Sequence, residues 1–232
     1  MAIHRPGRPE DLPPGEELWA RWALLAAVEA TTEEERRPSG HRTGRWIDDE
    51  GLHYDDSGCT WWTMSRMGEG RFVLYGEDES SGVKWYEPPI DMLAGGPDWL
   101  PYGELRDRLK GYELGCVYWY DNGTWARAPY PGDLGDDGLD CGISGFADRD
   151  HVLGELSDRV DDSGGDCVDD SGGGLDADAL LAAAEAHRLA PASLLERLRP
   201  VYEDEPLDLP AVARALALAG ITGREPNEGA AT

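Results

Sequence analysis

His53, Asp55 and Cys59 stand close together and supply a base, a carboxylate and a thiol. That set would serve nucleophilic catalysis if the imidazole took the thiol proton. The neighbouring Asp55 and Asp56 oppose it, because nearby negative charge raises a thiol pKa and keeps the sulfur protonated. His151 and His187 fall at positions expected to be structural or solvent-facing. A second constellation, Asp133-x-x-Asp136-Asp137-Gly-x-Asp140, gathers the hard oxygen ligands that calcium prefers. Its spacing departs from the EF-hand loop and from the Gly-Gly-x-Gly-x-Asp repeat, so no metal site is expected. Paired carboxylates in a Trp-lined cleft would suit glycoside hydrolysis. With 47 acidic residues such pairs arise everywhere, and none stands out as catalytic. Phosphate-cradling, dinucleotide-binding and His-Glu-x-x-His zinc motifs are missing, and no cofactor is expected. Cys59, Cys116, Cys141 and Cys167 form no Cys-x-x-Cys pair and read as reduced thiols.

The elements around these residues carry a strong charge bias. Against 47 acids stand 21 bases in 232 residues, a formal charge of −26. A surface this negative repels nucleic acid and anionic lipid, and attracts basic proteins. Neither nucleic-acid nor membrane binding is expected. No run approaches the ~18 apolar residues of a membrane span, and the Pro-rich, acid-containing N-terminus does not read as a secretory signal. A cytoplasmic location is the expectation.

Periodicity predicts an α+β protein: an antiparallel sheet of hairpins with packed helices, plus a small C-terminal helical unit. Residues 1–43 read as an N-terminal tail, extended or mobile over the first fifteen residues, then a helix near Glu16 to Thr31 and a polar linker. Leu18, Trp22, Leu25 and Val28 supply that helix's apolar spacing. Residues 44–160 form an aromatic-rich core. Strand-like runs flank 48–51, 67–70 and Asp121-Asn122-Gly123, the last being the strongest short hairpin signal. Val83 to Tyr86 reads as a further strand, and helices are predicted near 102–111 and 148–160. Residues 161–174 form an acidic, Gly-rich linker in which Val-Asp-Asp-Ser-Gly-Gly recurs. Residues 175–232 hold three helices and a tail; Asp208-Leu209-Pro210 opens the last helix and Gly220 ends it.

Seven of the nine Trp lie between Gly44 and Tyr130. Neighbouring strand residues point to opposite faces, so Val117-Tyr118-Trp119-Tyr120 and Lys84-Trp85-Tyr86 place aromatics on both. If helices cover only one face, Trp85, Tyr118, Trp119, Tyr120 and Trp125 form a binding surface rimmed by Glu77, Asp78, Glu79 and Asp121. The sequence then describes a non-enzymatic module that recognises a basic protein. The alternative is a hydrolase, on carbohydrate for instance, using a carboxylate pair.

The strings Arg71-Phe-Val-Leu-Tyr-Gly76, Gly96-Pro-Asp-Trp-Leu-Pro101 and Tyr120-Asp-Asn-Gly-Thr-Trp125 resemble uncharacterised acidic actinobacterial proteins. The likeness spans roughly Trp46 to Val160 and implies no activity. More distantly, the aromatic α+β pattern and the charge are similar to immunity-type proteins that neutralise bacterial toxins. That similarity assigns no residue a role.

Overall fold

Asn122 and Gly123 adopt positive φ, 51° and 83°, as a tight hairpin turn requires. They join β5 (Cys116–Asp121) to β6 (Thr124–Arg127), the last hairpin of an antiparallel meander. The earlier strands are β1 (Gly44–Ile47), β2 (Leu52–Asp55), β3 (Trp61–Arg66) and β4 (Phe72–Glu77), and the sheet order follows the chain. The computed structural model describes residues 2–31, 42–160, 177–199 and 206–223. The acidic 161–174 segment, Cys167, most of the polar linker and the end of the C-terminal tail lie outside them.

Strand register divides the sheet into two faces. On one, Arg45, Tyr54, Trp62, Gly76 and Cys116 lie side by side, followed by Ile47, Leu52, Met64, Leu74 and Tyr118. This face meets a helical layer built on α1 (Gly15–Glu29). From Leu18 to Val28 that helix is buried all round, and its run of alanines lets neighbours approach closely. Against it pack α3 (Asp140–Ala147), α4 (Arg149–Arg159), α5 (Ala177–Glu185) and α7 (Leu209–Ala219), while α2 (Tyr102–Lys110) and α6 (Pro191–Leu195) lie elsewhere. The C-terminal helices thus share one apolar core with α1 and the sheet. Asp208 caps α7 by accepting from Ala211 N at 2.9 Å, and Gly220 ends it at φ 63°.

The opposite face has a second core. Val73, Tyr75, Val117 and Trp119 are covered by Leu105 of α2 and by the 78–115 connection, including Val83, Met92, Leu93 and Leu114. This cover reaches β4 and β5 and stops short of β1 and β2.

Three local expectations change. Val83–Trp85 forms a 3-10 turn in place of a strand. The helix α3 was not anticipated, because Cys141 (ψ 111°) and Gly142 (φ 86°) kink it where a Cβ on Gly142 would stand 2.9 Å from Tyr54. The first residues are held down, not mobile. Gly7 N donates to Asp137 at 2.8 Å, and Trp125 Nε1 donates to Pro13 O at 2.7 Å.

Asp137 is 1% exposed and is approached by the Tyr118 hydroxyl at 2.7 Å, which also lies 2.8 Å from Gly7 O. Burial, reinforced by Asp137's charge, pushes the Tyr118 phenol and the Cys116 thiol well above their ordinary 10.0 and 9.0. Above those values the unfolded chain sheds protons that the folded one keeps, so stability falls as pH rises past about 9. Tyr118→Phe is expected to cost about 1.5–3 kcal/mol at pH 7, as a buried carboxylate loses a donor. It should also make the alkaline loss shallower. Urea unfolding at pH 7 and pH 10 checks both, and an unchanged midpoint at pH 7 would refute the tie.

Candidate functional site

Of the nine residues read as a binding face, five are buried, four of them aromatic. Tyr118 (0% exposed), Tyr120 and Trp125 face the helical layer, and Trp119 faces the α2 layer. The continuous aromatic face is therefore corrected: β4 to β6 are covered on both sides, and no strand aromatic there reaches solvent. Asp78 is buried too, accepting from the Thr60 hydroxyl and Ser80 N. Burial alone would raise its pKa, and hydrogen bonds from Ser80 and Thr60 outweigh that and leave it lowered. Asp121 holds Trp99 Nε1 at 3.2 Å and Arg71 Nε at 3.4 Å, so it braces a loop. Glu77, Glu79 and Trp85 remain at or near the surface.

Trp85 is 69% exposed, and sequence reading missed its partner, Tyr112, at 66%. Their rings stack with centroids 6.2 Å apart and planes 14° from parallel. Lys84 fixes the pair: its Nζ pairs with Glu77, donates to Tyr112 O at 3.1 Å and lies 5.6 Å from the Trp85 ring centroid. Tyr112 follows α2 at φ 57°. Helices usually place Gly in that left-handed position, but here Gly111 comes one residue early and is right-handed. A side chain in this region costs about 1–2 kcal/mol. The pair is thus two large apolar rings held in water, one on an unfavourable backbone. Exposed Glu87 and Glu113 flank it in the chain.

The uncovered half of the same sheet face forms a groove of about 270 Å³ over β1 to β3. Trp46 stacks on His53 at 5.0 Å. His53 Nε2 meets Asp48 at 2.9 Å and Nδ1 meets the Thr63 hydroxyl at 3.1 Å. Burial pushes Asp48 up, and the His53 hydrogen bond and charge pull it below the usual carboxylate range. Base, carboxylate and hydroxyl are in line, but Thr63 is 3% exposed and offers almost no surface to a substrate. The chain of bonds fixes the groove floor.

The nucleophile reading of Cys59 meets an adverse environment. Its thiol is exposed and raised by a hydrogen bond to Glu79, by desolvation and by Glu79's charge. Burial, with Asp140 adding to it, pushes Cys141 up to about 11. In the acidic 133–140 motif, Asp133 accepts from Tyr86, Asp136 from Gly138 N, and Asp140 from Arg5. Among the described residues no three His, Cys, Asp or Glu side chains are grouped to hold a metal. Nor is any described helix long and apolar enough to cross a membrane.

If the aromatic pair is kept for contact and not for stability, Tyr112→Gly should leave the melting temperature unchanged or raise it by a few degrees. The relieved backbone offsets a stacking contact worth about 0.5–1.5 kcal/mol. A drop of several degrees in a thermal melt would make the pair a structural element. Comparison with protein-family models, with curated proteins and with solved structures finds no match for this chain.

Proposed function

We propose that this protein is a non-enzymatic binding module for a basic protein, docking through Trp85 and Tyr112. The observation that carries the reading is the stacked pair itself, 69% and 66% exposed on a chain of formal charge −26. Large aromatic rings anchor protein interfaces, because they bury much area while losing little rotamer freedom. Water exposure of two such rings is unfavourable until a partner covers them. The surrounding charge supplies the other half of recognition: it accelerates encounter with a cationic surface and discourages acidic partners. A nuclease-like or other nucleic-acid-binding protein has the required basicity, which agrees with the distant similarity to immunity-type proteins.

The test is affinity capture with the tagged protein at low and high salt, followed by identification of retained proteins. The expected result is one stoichiometric basic partner, weakened by salt, and lost on replacing Trp85 and Tyr112 together with Ala. A Leu218→Ala control on α7, where Leu218 is 45% exposed, should keep it. Retention of the partner by the Trp85/Tyr112 double variant would remove this surface from the interface.

A further inference from the structure

We infer that the groove over β1 to β3 is a guanidinium-reading subsite, so that the basic partner is recognised through arginine and not simply through positive charge. The inference rests on the docking reading above and adds the chemistry of what is read. The groove already shows its preference on the chain's own residues. The Arg42 guanidinium lies 5.1 Å from the Trp46 ring, and that of Arg108 lies 5.3 Å from Trp61 and 5.5 Å from Tyr75. Of the three indoles lining the groove, Trp46 and Trp61 thus each hold a planar cation in the free protein, while Trp62 is fully buried on the other sheet face. Guanidinium suits such a place better than ammonium, since it is planar, stacks on rings and is more weakly hydrated.

Charge points the same way. Asp48, Glu50 and Asp55 line the groove, where the lining cations are Arg108 and, when protonated, His53. Carboxylates beside an indole give an incoming arginine both a ring to stack on and oxygens for its N–H fork. Arg108 is a replaceable occupant. It is 31% exposed and held by long contacts, 3.2 Å to Glu104 and 3.5 Å to Glu113. Glu113 adjoins Tyr112 in the chain, so the Arg108–Glu113 contact links the groove to the segment that carries the stacked pair. A partner's arginine would take the Trp61 face as Arg108 swings out to solvent.

The test uses fluorescently labelled nona-arginine and nona-lysine, which carry equal side-chain charge, and measures anisotropy at physiological ionic strength. Wild-type protein should bind nona-arginine about tenfold more tightly than nona-lysine, the sum of two modest ring–cation contacts. Replacing Trp46 and Trp61 with Leu, which keeps apolar bulk and removes the ring faces, should bring that ratio close to one. Arg108→Ala should strengthen nona-arginine binding more than nona-lysine binding, because it vacates a stacking place as well as removing a charge. Equal affinities in the wild type would overturn the subsite, as would a ratio that survives the Leu variants. Should the Leu variants fail to fold, Arg108→Ala decides alone, and equal gains for both peptides would overturn the inference. The Trp85/Tyr112 double variant separates the two readings. If it keeps both the arginine preference and the captured partner, the docking surface is wrong and the subsite stands. If it loses the partner while the wild-type ratio is one, the subsite is wrong and the docking surface stands.

Discussion

A buried indole or phenol must place its polar tip, and apart from Trp22, whose Nε1 has no hydrogen-bond partner among the described residues, this chain meets that constraint by tying irregular segments to its core. Trp19 Nε1 donates to Ala219 O at the end of α7, Trp62 Nε1 to Cys141 O at the kink of α3, and Trp125 Nε1 to Pro13 O. The Tyr118 hydroxyl reaches Gly7 O and Asp137. Each acceptor belongs to a stretch without ladder or helix partners at that point. The ring buries area on the sheet or α1, and its tip fixes a terminus or a connection. Asp137 concentrates the effect. As a nearly inaccessible carboxylate it depends on Gly7 N and the Tyr118 hydroxyl, so the N-terminal segment, β5 and the entry to α3 stand or fall together.

The few cations are used in the same economical way. Arg21, 7% exposed, binds Glu185, Glu17 and Ala147 O, linking α1 to α5 and α3. Arg45 joins Glu29 of α1 to Glu155 of α4 across the sheet edge, and Arg149 joins Asp178 and Glu185 of α5. Arg5 holds Asp140, the first residue of α3, and Asp136 just before it. Bases placed at joints neutralise the acids that share those joints. The excess of acid is then left at the surface as a long-range field.

How far the sequence discloses this arrangement depends on the scale of the signal. Hairpins and α1 are local: Asn122-Gly123 dictates a turn, and the spacing Leu18, Trp22, Leu25, Val28 dictates a buried helical face. The helix α3 is illegible because two glycines and a kink remove its periodicity. The chain alone could not say which aromatics are exposed. Tyr118 and Trp119 alternate across the sheet, and an alternating pair looks the same whether one face or both are covered. What covers the second face is the 78–115 connection, whose Met92, Leu93 and Leu100 are scattered among Pro and Gly without any period. Tyr112 is illegible for a similar reason, since its left-handed backbone lies one residue beyond Gly111, the residue that caps α2.

The extent of that cover is itself written in side-chain type. On the face beneath α2, β4 and β5 present Val73, Tyr75, Val117 and Trp119, which have little use for water. The same face on β1 to β3 presents Trp46, His53, Asp55, Trp61 and Thr63, which tolerate water on one side and apolar contact on the other. Strands meant for permanent burial would carry Val or Ile at these positions, and strands meant only for solvent would not carry two indoles. His53 is satisfied sideways by Asp48 and Thr63, and Trp46 by Asp48, so the surface needs no cover to meet its hydrogen bonds. Rings that are apolar above and hydrogen-bonded at their edges lose little when a partner arrives and little when it leaves. That composition is what the proposed docking of a partner's arginine would require.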